Sequence, residues 1–144
     1  MKAIVQNGYG SPDVFELKQS EKPEPDEDSL LVRVKAAALH AGDYYAMRGE
    51  PYLARFSAGW PKPKDYIPGY DAAGTVEAVG ANVTRFQPGD EVYGALSRTC
   101  AEYVSAPEDK FAPKPANLTL EEAAAVPTSA VAALRGLCDA GKVE

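Results

Sequence analysis

The chain has 144 residues, of which 45% are hydrophobic and 25% charged, so it is long enough for one globular domain with a core. Fifteen basic against 21 acidic residues leave a net charge of −6, which favours neither nucleic acid nor an anionic membrane as a partner. The longest apolar stretch, residues 123–134, is shorter than the roughly 20 residues that a membrane helix needs. The N-terminus has no apolar run of secretory length, so we expect a cytoplasmic protein.

Most of the chain predicts β-structure with many turns, because it contains twelve glycines and twelve prolines. Lys2–Gln6 and Phe15–Gln19 carry β-branched or aromatic residues in partial alternation, and the turn-forming residues between them predict a hairpin. Residues 21–28 hold five acids and two prolines, so we expect an exposed loop there. Strand character returns at residues 30–35, Asp71–Val79, residues 91–94 and residues 101–105.

Helices are predicted to be short. Asp43 suits an N-cap and Gly49 a C-terminal stop, which predicts one helical turn between them. Thr119 and the carboxylate three residues later have the spacing of a capping box that begins a second helix. Pro127 interrupts that helix, and a third is expected to begin near Thr128 or Ser129 and to end at Gly141.

A long loop is predicted over residues 50–68, which contain four prolines and no sustained period. Seven of the thirteen aromatic residues lie in or beside it, near the single histidine, His40. They are Tyr44, Tyr45, Tyr52, Phe56, Trp60, Tyr66 and Tyr70. Aromatic walls with a few polar groups are typical of small-molecule sites. The alternative is that these rings cover a small core and that the histidine is structural.

The sequence offers no familiar metal or nucleophile motif. One histidine and two distant cysteines, Cys100 and Cys138, do not supply the three or four convergent ligands of a zinc site. No Gly-x-Ser-x-Gly element is present, so a serine hydrolase is not predicted. We expect the cysteines to be reduced thiols that pack as small apolar groups, with a single disulfide as the alternative.

Motifs in a fixed order extend along nearly the whole chain. They are KAIV at residues 2–5, HAGDYYAMRG at 40–49, PGYDAAGTVEAVG at 68–80, FQPGDEVYG at 86–94, AEYV at 101–104 and EEAAAVP at 121–127. In order and spacing the chain resembles the N-terminal catalytic domain of the medium-chain dehydrogenase/reductase superfamily, closest to its zinc-independent quinone oxidoreductase branch. The resemblance implies a mainly β fold, a GroES-like partly open β-barrel with short helices and a C-terminal helical segment.

The resemblance also divides the chain. It implies a GroES-like substrate-side domain over residues 1–125 and, over residues 126–144, a helical linker to a Rossmann nucleotide-binding domain. The glycine-rich fingerprint of such a domain does not occur in these residues. The activity implied is NADPH-dependent hydride transfer to quinones, enones or related activated carbonyls, in a full-length protein that can form a homo-oligomer. We expect the 144 residues alone to be inactive.

Two positions distinguish the chain from zinc-dependent members of that superfamily. By resemblance, the zinc-dependent members have a cysteine at the position of His40. They have Gly-His-Glu where this chain has Gly69, Tyr70 and Asp71. A phenol with an ordinary pKa near 10 is a poor zinc ligand. The resemblance therefore implies no zinc, and zinc-independent relatives usually have asparagine at the His40 position.

Without a metal, hydrogen-bond donors have to stabilise the negative charge that develops on the substrate oxygen. By resemblance, His40, Tyr45 and Tyr52 are expected to be the catalytic donors. The expected substrate-binding residues are Asp43, Tyr70 and Trp60, and the expected cofactor contacts are Thr128 and Ser129. Two alternatives stay open: a free-standing GroES-like module that binds a partner through its aromatic loop, and a zinc alcohol dehydrogenase with atypical ligands.

Overall fold

The computed structural model describes residues 1–64 and 67–142, which form two antiparallel sheets and several short helices. The strands are β1 (Lys2–Gln6), β2 (Phe15–Gln19), β3 (Ser29–Ala38), β4 (Asp71–Val79), β5 (Glu91–Ala95), β6 (Tyr103–Pro107) and β7 (Phe111–Pro113). The helices are α1 (Ala41–Arg48), α2 (Arg55–Ala58), α3 (Leu120–Ala124) and α4 (Pro127–Leu134). Short 3₁₀ turns lie at Pro12–Val14, Tyr52–Ala54 and Glu108–Lys110, and a π-helical turn at Arg135–Ala140.

The N-terminal hairpin is confirmed. β1 and β2 pair antiparallel from Lys2 opposite Gln19 to Gln6 opposite Phe15. Ala3 bridges to Ala101, which joins this small sheet to the rest of the molecule. Residues 21–28 that follow the hairpin contain no strand or helix, as predicted.

The larger sheet has the strand order β6-β3-β4-β5-β7, and all its pairs are antiparallel. β3 is longer than the predicted residues 30–35 because it pairs with β4 on one side and β6 on the other. β6 lies two residues later than predicted. β7 was not predicted, since a strand of three residues that ends in a proline carries no periodic signal. The mainly β, open architecture is confirmed.

The core lies on the large sheet and follows the two-residue period of its strands. Leu30 and Val32 of β3 and Val76 of β4 are fully buried, and Val92 of β5 packs in the same cluster. Burying each such side chain stabilises the fold by about 1.5–3 kcal/mol. Phe111 joins the cluster, which explains why the short strand β7 persists.

The helices after the sheet begin at defined caps. Thr119 Oγ1 accepts from the Glu122 N–H at 3.2 Å, and a Glu122 oxygen accepts from the Thr119 N–H at 2.8 Å, so the predicted capping box is confirmed. α4 begins at Pro127 itself, where a missing N–H costs nothing, rather than just after it. None of the helices found in residues 1–64 and 67–142 has the length and apolar composition that a bilayer crossing requires.

Residues 50–68 differ from the predicted loop. The Tyr52–Ala54 turn and α2 form a short helical run within it. The sequence YLARFSA between Pro51 and Gly59 has no helix breaker and contains alanine, leucine and arginine, all good helix formers. This run is too short to give a sustained helical period, and the prolines on both sides of it favour a loop, so no helix was predicted here. Tyr66 of the aromatic cluster lies outside the described residues.

We expect Thr119→Ala to lower the free energy of unfolding by about 1 kcal/mol, because the N–H of Glu122 loses its cap. Urea denaturation followed by circular dichroism measures the change. The control is Thr84→Ala, an exposed threonine whose side chain makes no hydrogen bond within the described residues. Equal stabilities for the two variants would show that the cap contributes nothing.

Candidate functional site

A cavity of about 390 Å³ opens beside α1, in the size range of small-molecule sites. Its walls come from α1, from the turn after β1, from residues 50–64, which we call the aromatic segment, and from the residues just before β4. Lining side chains include Tyr9, Asp43, Tyr45, Arg55, Ile67 and Tyr70. Three of the predicted site residues, Asp43, Tyr45 and Tyr70, therefore share one cavity.

The N-terminus of α1 is closed by a capping box that uses a histidine. His40 Nδ1 accepts from the Gly42 N–H at 2.9 Å, and Asp43 Oδ2 accepts from the His40 N–H at 2.9 Å. The prediction of Asp43 as N-cap is wrong: His40 is the N-cap and Asp43 is the third helical residue. The helix starts earlier than predicted because an imidazole nitrogen can replace the usual hydroxyl or carboxylate oxygen of a cap.

The cap determines which nitrogen of His40 carries the proton. Since Nδ1 accepts a hydrogen bond, a neutral ring holds its hydrogen on Nε2. Nε2 is buried and has no partner within the part of the chain that the structure describes. An unpaired buried donor is costly, so such a group points to a ligand that would accept from it.

His40 does not line the cavity, but it contacts Tyr70, which does. The two rings stack with centroids 5.6 Å apart and planes 24° apart, and Tyr70 lines the cavity. Tyr70 is 42% exposed.

Asp43 and Tyr45, two of the predicted site residues, lie two positions apart in α1. Tyr45 is half exposed, and its ring packs edge-on against Tyr44 at 5.6 Å. Asp43 is buried, and its Oδ1 has no hydrogen-bond partner among the described residues. Asp43 therefore keeps one free acceptor beside the cavity while its other oxygen holds the start of α1.

Tyr52 and Trp60 lie next to the cavity without lining it. Both are 68% exposed, and both rings contact the guanidinium of Arg55, which does line it. The sequence analysis missed Arg55 and Tyr9. The signal was present, because Arg55 is the sole basic residue between Arg48 and Lys62 and stands amid aromatic residues.

The two predicted cofactor contacts have different surroundings. Thr128 donates to Asp71 Oδ1 from its hydroxyl at 2.7 Å and from its backbone N–H at 3.2 Å. Asp71 is 2% exposed, so these bonds pair a buried carboxylate with the first turn of α4. Ser129 is exposed, and its side chain makes no hydrogen bond to any described residue.

The residues at the positions of zinc ligands do not fit a zinc ion. Asp71 is bonded to Thr128, Tyr70 offers a phenol, and His40 uses Nδ1 as a cap. Within residues 1–64 and 67–142, no three histidine, cysteine or acidic side chains lie close enough to hold a metal. The absence of zinc stays a prediction.

Comparison with known proteins gives a consistent family. Residues 26–135 match the alcohol dehydrogenase GroES-like domain family. A 2-methylene-furan-3-one reductase of Solanum lycopersicum is 38% identical over 98% of this chain and 38% of its own length. An NADPH-dependent alkenal/one oxidoreductase, chloroplastic, of Arabidopsis thaliana is 36% identical over 95% of this chain and 37% of its own length. The chain thus spans less than half the length of these relatives.

Solved structures show the same fold. The quinone oxidoreductase of Coxiella burnetii superposes with a TM-score of 0.85 at 32% identity, covering 98% of this chain and 45% of that one. An alcohol dehydrogenase superfamily protein of Novosphingobium aromaticivorans superposes with a TM-score of 0.87 at 33% identity, covering 100% and 43%. The match to the N-terminal part of such proteins confirms the GroES-like fold.

We expect Thr128→Val to lower the free energy of unfolding by about 1–3 kcal/mol, because the buried Asp71 carboxylate loses its closest donor. Ser129→Ala is the matched control, and its effect should stay within about 0.5 kcal/mol. Urea denaturation of the two variants measures the difference. Similar stabilities would mean that the hydroxyl adds nothing to the backbone hydrogen bond.

Cys100 should be alkylated later than the exposed Cys138. Burial raises the pKa of the Cys100 thiol, and the negative charge of Asp43 raises it further. At about pH 8 a raised pKa leaves less of the reactive thiolate, and the rate should increase only at higher pH. Iodoacetamide labelling followed by mass spectrometry measures both rates, with denatured protein as control. Faster labelling of Cys100 in the folded protein would contradict this expectation.

Proposed function

Because the chain belongs to the alcohol dehydrogenase GroES-like domain family, in the quinone oxidoreductase branch of the medium-chain dehydrogenase/reductase superfamily, we propose that it is the substrate-side part of an NADPH-dependent reductase. Its substrates are quinones, enones or related activated carbonyls. In this proposal residues 1–125 form the catalytic domain, and residues 126–144 lead to a nucleotide-binding domain in the whole protein. The enzyme needs no zinc.

The observation that carries the proposal is the unpaired donor of His40. Its Nε2–H is buried beside Tyr70 and lacks a protein acceptor among the described residues. A carbonyl substrate develops negative charge on its oxygen as it is reduced, and a donor already in place stabilises that charge. The capping bond to Gly42 keeps the ring oriented. Because Nε2 is buried and His40 does not line the cavity, the proposal requires the surface beside Tyr70 to open when the substrate binds.

Two tyrosines complete the proposed set of catalytic donors. Tyr45 lines the cavity and Tyr52 borders it, and a phenol can donate to an oxygen that gains charge. Both rings are more exposed than His40, so water weakens their hydrogen bonds. His40 therefore contributes most of the stabilisation, while Tyr45 and Tyr52 orient the oxygen.

The residues proposed to bind the substrate are Tyr70, Trp60 and Asp43, which lies near the N-terminus of α1. Tyr70 and Trp60 are 42% and 68% exposed, and a flat conjugated carbonyl can stack on the exposed part of such rings. Asp43 acts through its hydrogen bond to the His40 backbone, which fixes the position of the catalytic ring. Its unpaired Oδ1 can in addition accept from a hydroxyl of the reduced product.

Bound NADPH supplies the hydride, and Thr128 and Ser129 are the residues of this chain proposed to contact it. The Thr128 hydroxyl donates its hydrogen to Asp71 but keeps lone pairs, and Ser129 is open to solvent. Both hydroxyls fit a carboxamide, which has hydrogens to donate. The bond to Asp71 holds this segment next to Tyr70, so the substrate and cofactor sides stay aligned.

The proposed partner is a small molecule, with no nucleic acid and no membrane, and the full-length protein can form a homo-oligomer. We propose a cytoplasmic location, although the Arabidopsis relative is chloroplastic.

A binding module is the second candidate, favoured by one observation. Leu53 and Phe56 are 78% and 79% exposed on the aromatic segment, a composition that suits a partner surface. A zinc alcohol dehydrogenase with atypical ligands is disfavoured, because Asp71 is already bonded to Thr128.

The test joins the chain to a nucleotide-binding domain and follows NADPH oxidation with quinones and enones. His40→Ser keeps a helix cap but lacks a donor at the position of Nε2, so kcat should fall about 100-fold. His40→Asn keeps both a cap and a donor and should retain much more activity. Tyr52→Phe should lower kcat about tenfold, and Tyr103→Phe, at a residue that is not part of the cavity lining, should not. No turnover with any activated carbonyl, or equal rates for His40→Ser and His40→Asn, would contradict the proposal.

The 144 residues alone should neither oxidise NADPH nor bind it measurably. Only one short segment of the chain, at Thr128 and Ser129, is proposed to contact the cofactor. Isothermal titration calorimetry with NADPH measures this, and a heat signal with one-to-one stoichiometry would overturn the expectation.

A further inference from the structure

The guanidinium of Arg55 lies where α1, the aromatic segment and the turn after β1 meet. Its Nε donates to the Gly49 carbonyl at 2.9 Å, and its Nη2 donates to the Arg48 carbonyl at 2.8 Å. These carbonyls belong to the end of α1, where helical hydrogen-bond partners are missing. Arg55 thus closes the C-terminal end of the helix that carries Tyr45.

Aromatic rings surround the same guanidinium. Its central carbon lies 4.5 Å from the ring centre of Tyr9, 4.6 Å from that of Tyr52 and 6.0 Å from that of Trp60. The Tyr9 hydroxyl donates to the carbonyl of Gly59 at 2.8 Å, directly before Trp60. One planar cation therefore contacts both ends of the helical run that borders the cavity.

The backbone of α1 is adapted to this arrangement. Gly49 has a φ of +65°, which side-chain-bearing residues rarely adopt. A Cβ at this position would also overlap Arg55 Nε and the Tyr9 ring. Arg55 and Tyr9 thus occupy the space that a side chain at residue 49 would need.

Carbonyl dipoles and ring faces balance the charge of Arg55. No acidic side chain within the described ranges pairs with it, and Glu50 is paired instead with Arg48 at 3.0 Å. Two parallel donors and a flat stacking surface are properties of a guanidinium that an ammonium lacks. The position therefore requires arginine rather than any cation.

We propose that Arg55 is a positioning residue that holds Tyr52 and Trp60 at the border of the cavity and so determines which substrates enter it. Flat conjugated carbonyls match such a border, because they stack on rings that are already ordered. The role in substrate choice rests on the proposed function. The placement of the two side chains does not, and it can be measured separately.

Trp60 is the single tryptophan of the chain, so tryptophan fluorescence reports on this side chain alone. The variants are Arg55→Met and Arg55→Lys, with Arg85→Met as the matched control. Arg85 also stacks on a ring, that of Phe86 at 5.2 Å, and also donates to backbone carbonyls, but it is not part of the cavity lining. Both Arg55 variants should lower the fluorescence anisotropy of Trp60 and shift its emission, and Arg85→Met should change neither.

The fluorescence is measured at a temperature at which circular dichroism shows that each variant is folded. If Arg55→Met does not fold, Arg55→Lys, which keeps the charge and the aliphatic stem, decides the question. Wild-type anisotropy and emission in a folded Arg55→Lys would overturn the proposal, and so would loss of folding in both variants, which would indicate a general structural role. The assay for NADPH oxidation does not affect these outcomes, so the two proposals fail independently.

Discussion

The hydrogen bond from the Gly42 N–H to His40 Nδ1 is the interaction on which the proposed chemistry depends. It begins α1, and it leaves the ring hydrogen on a buried nitrogen that has no acceptor among the residues the structure describes. A serine cap would begin the helix equally well but has no second polar atom, and an aspartate cap has a second oxygen but no hydrogen to donate. One residue therefore serves both the fold and the site.

A second part of the candidate site depends on Asp71, the first residue of β4, which directly follows Tyr70. Its buried carboxylate accepts two hydrogen bonds from Thr128, so the sheet, the ring stacked on His40 and the start of α4 are joined within a few residues. At this position the carboxylate accepts from a hydroxyl and from a backbone N–H. These two hydrogen bonds offset part of the cost of burying the carboxylate.

Between these two points, the aromatic segment is ordered by a cation rather than by burial. Tyr52 and Trp60 are mostly exposed, so burial in a hydrophobic core does not fix the orientation of their rings. Contacts with Arg55, which is itself bonded to the end of α1, supply that order. The cavity is thus shaped by polar contacts at the two ends of one eight-residue helix.

The sequence alone determined the hairpin, most strands, the capping box at Thr119 and the cluster of aromatic residues, because these depend on neighbours a few positions apart. Motif order was enough for the family. Only the tertiary structure decided that His40 rather than Asp43 caps α1, that Asp71 holds Thr128 and that Arg55 gathers Tyr9, Tyr52 and Trp60. The bond from Thr128 to Asp71 spans 57 positions, and the contact of Tyr9 with Arg55 joins the hairpin turn to a distant helix. Such pairs follow from how the sheets and helices pack, which no local pattern encodes.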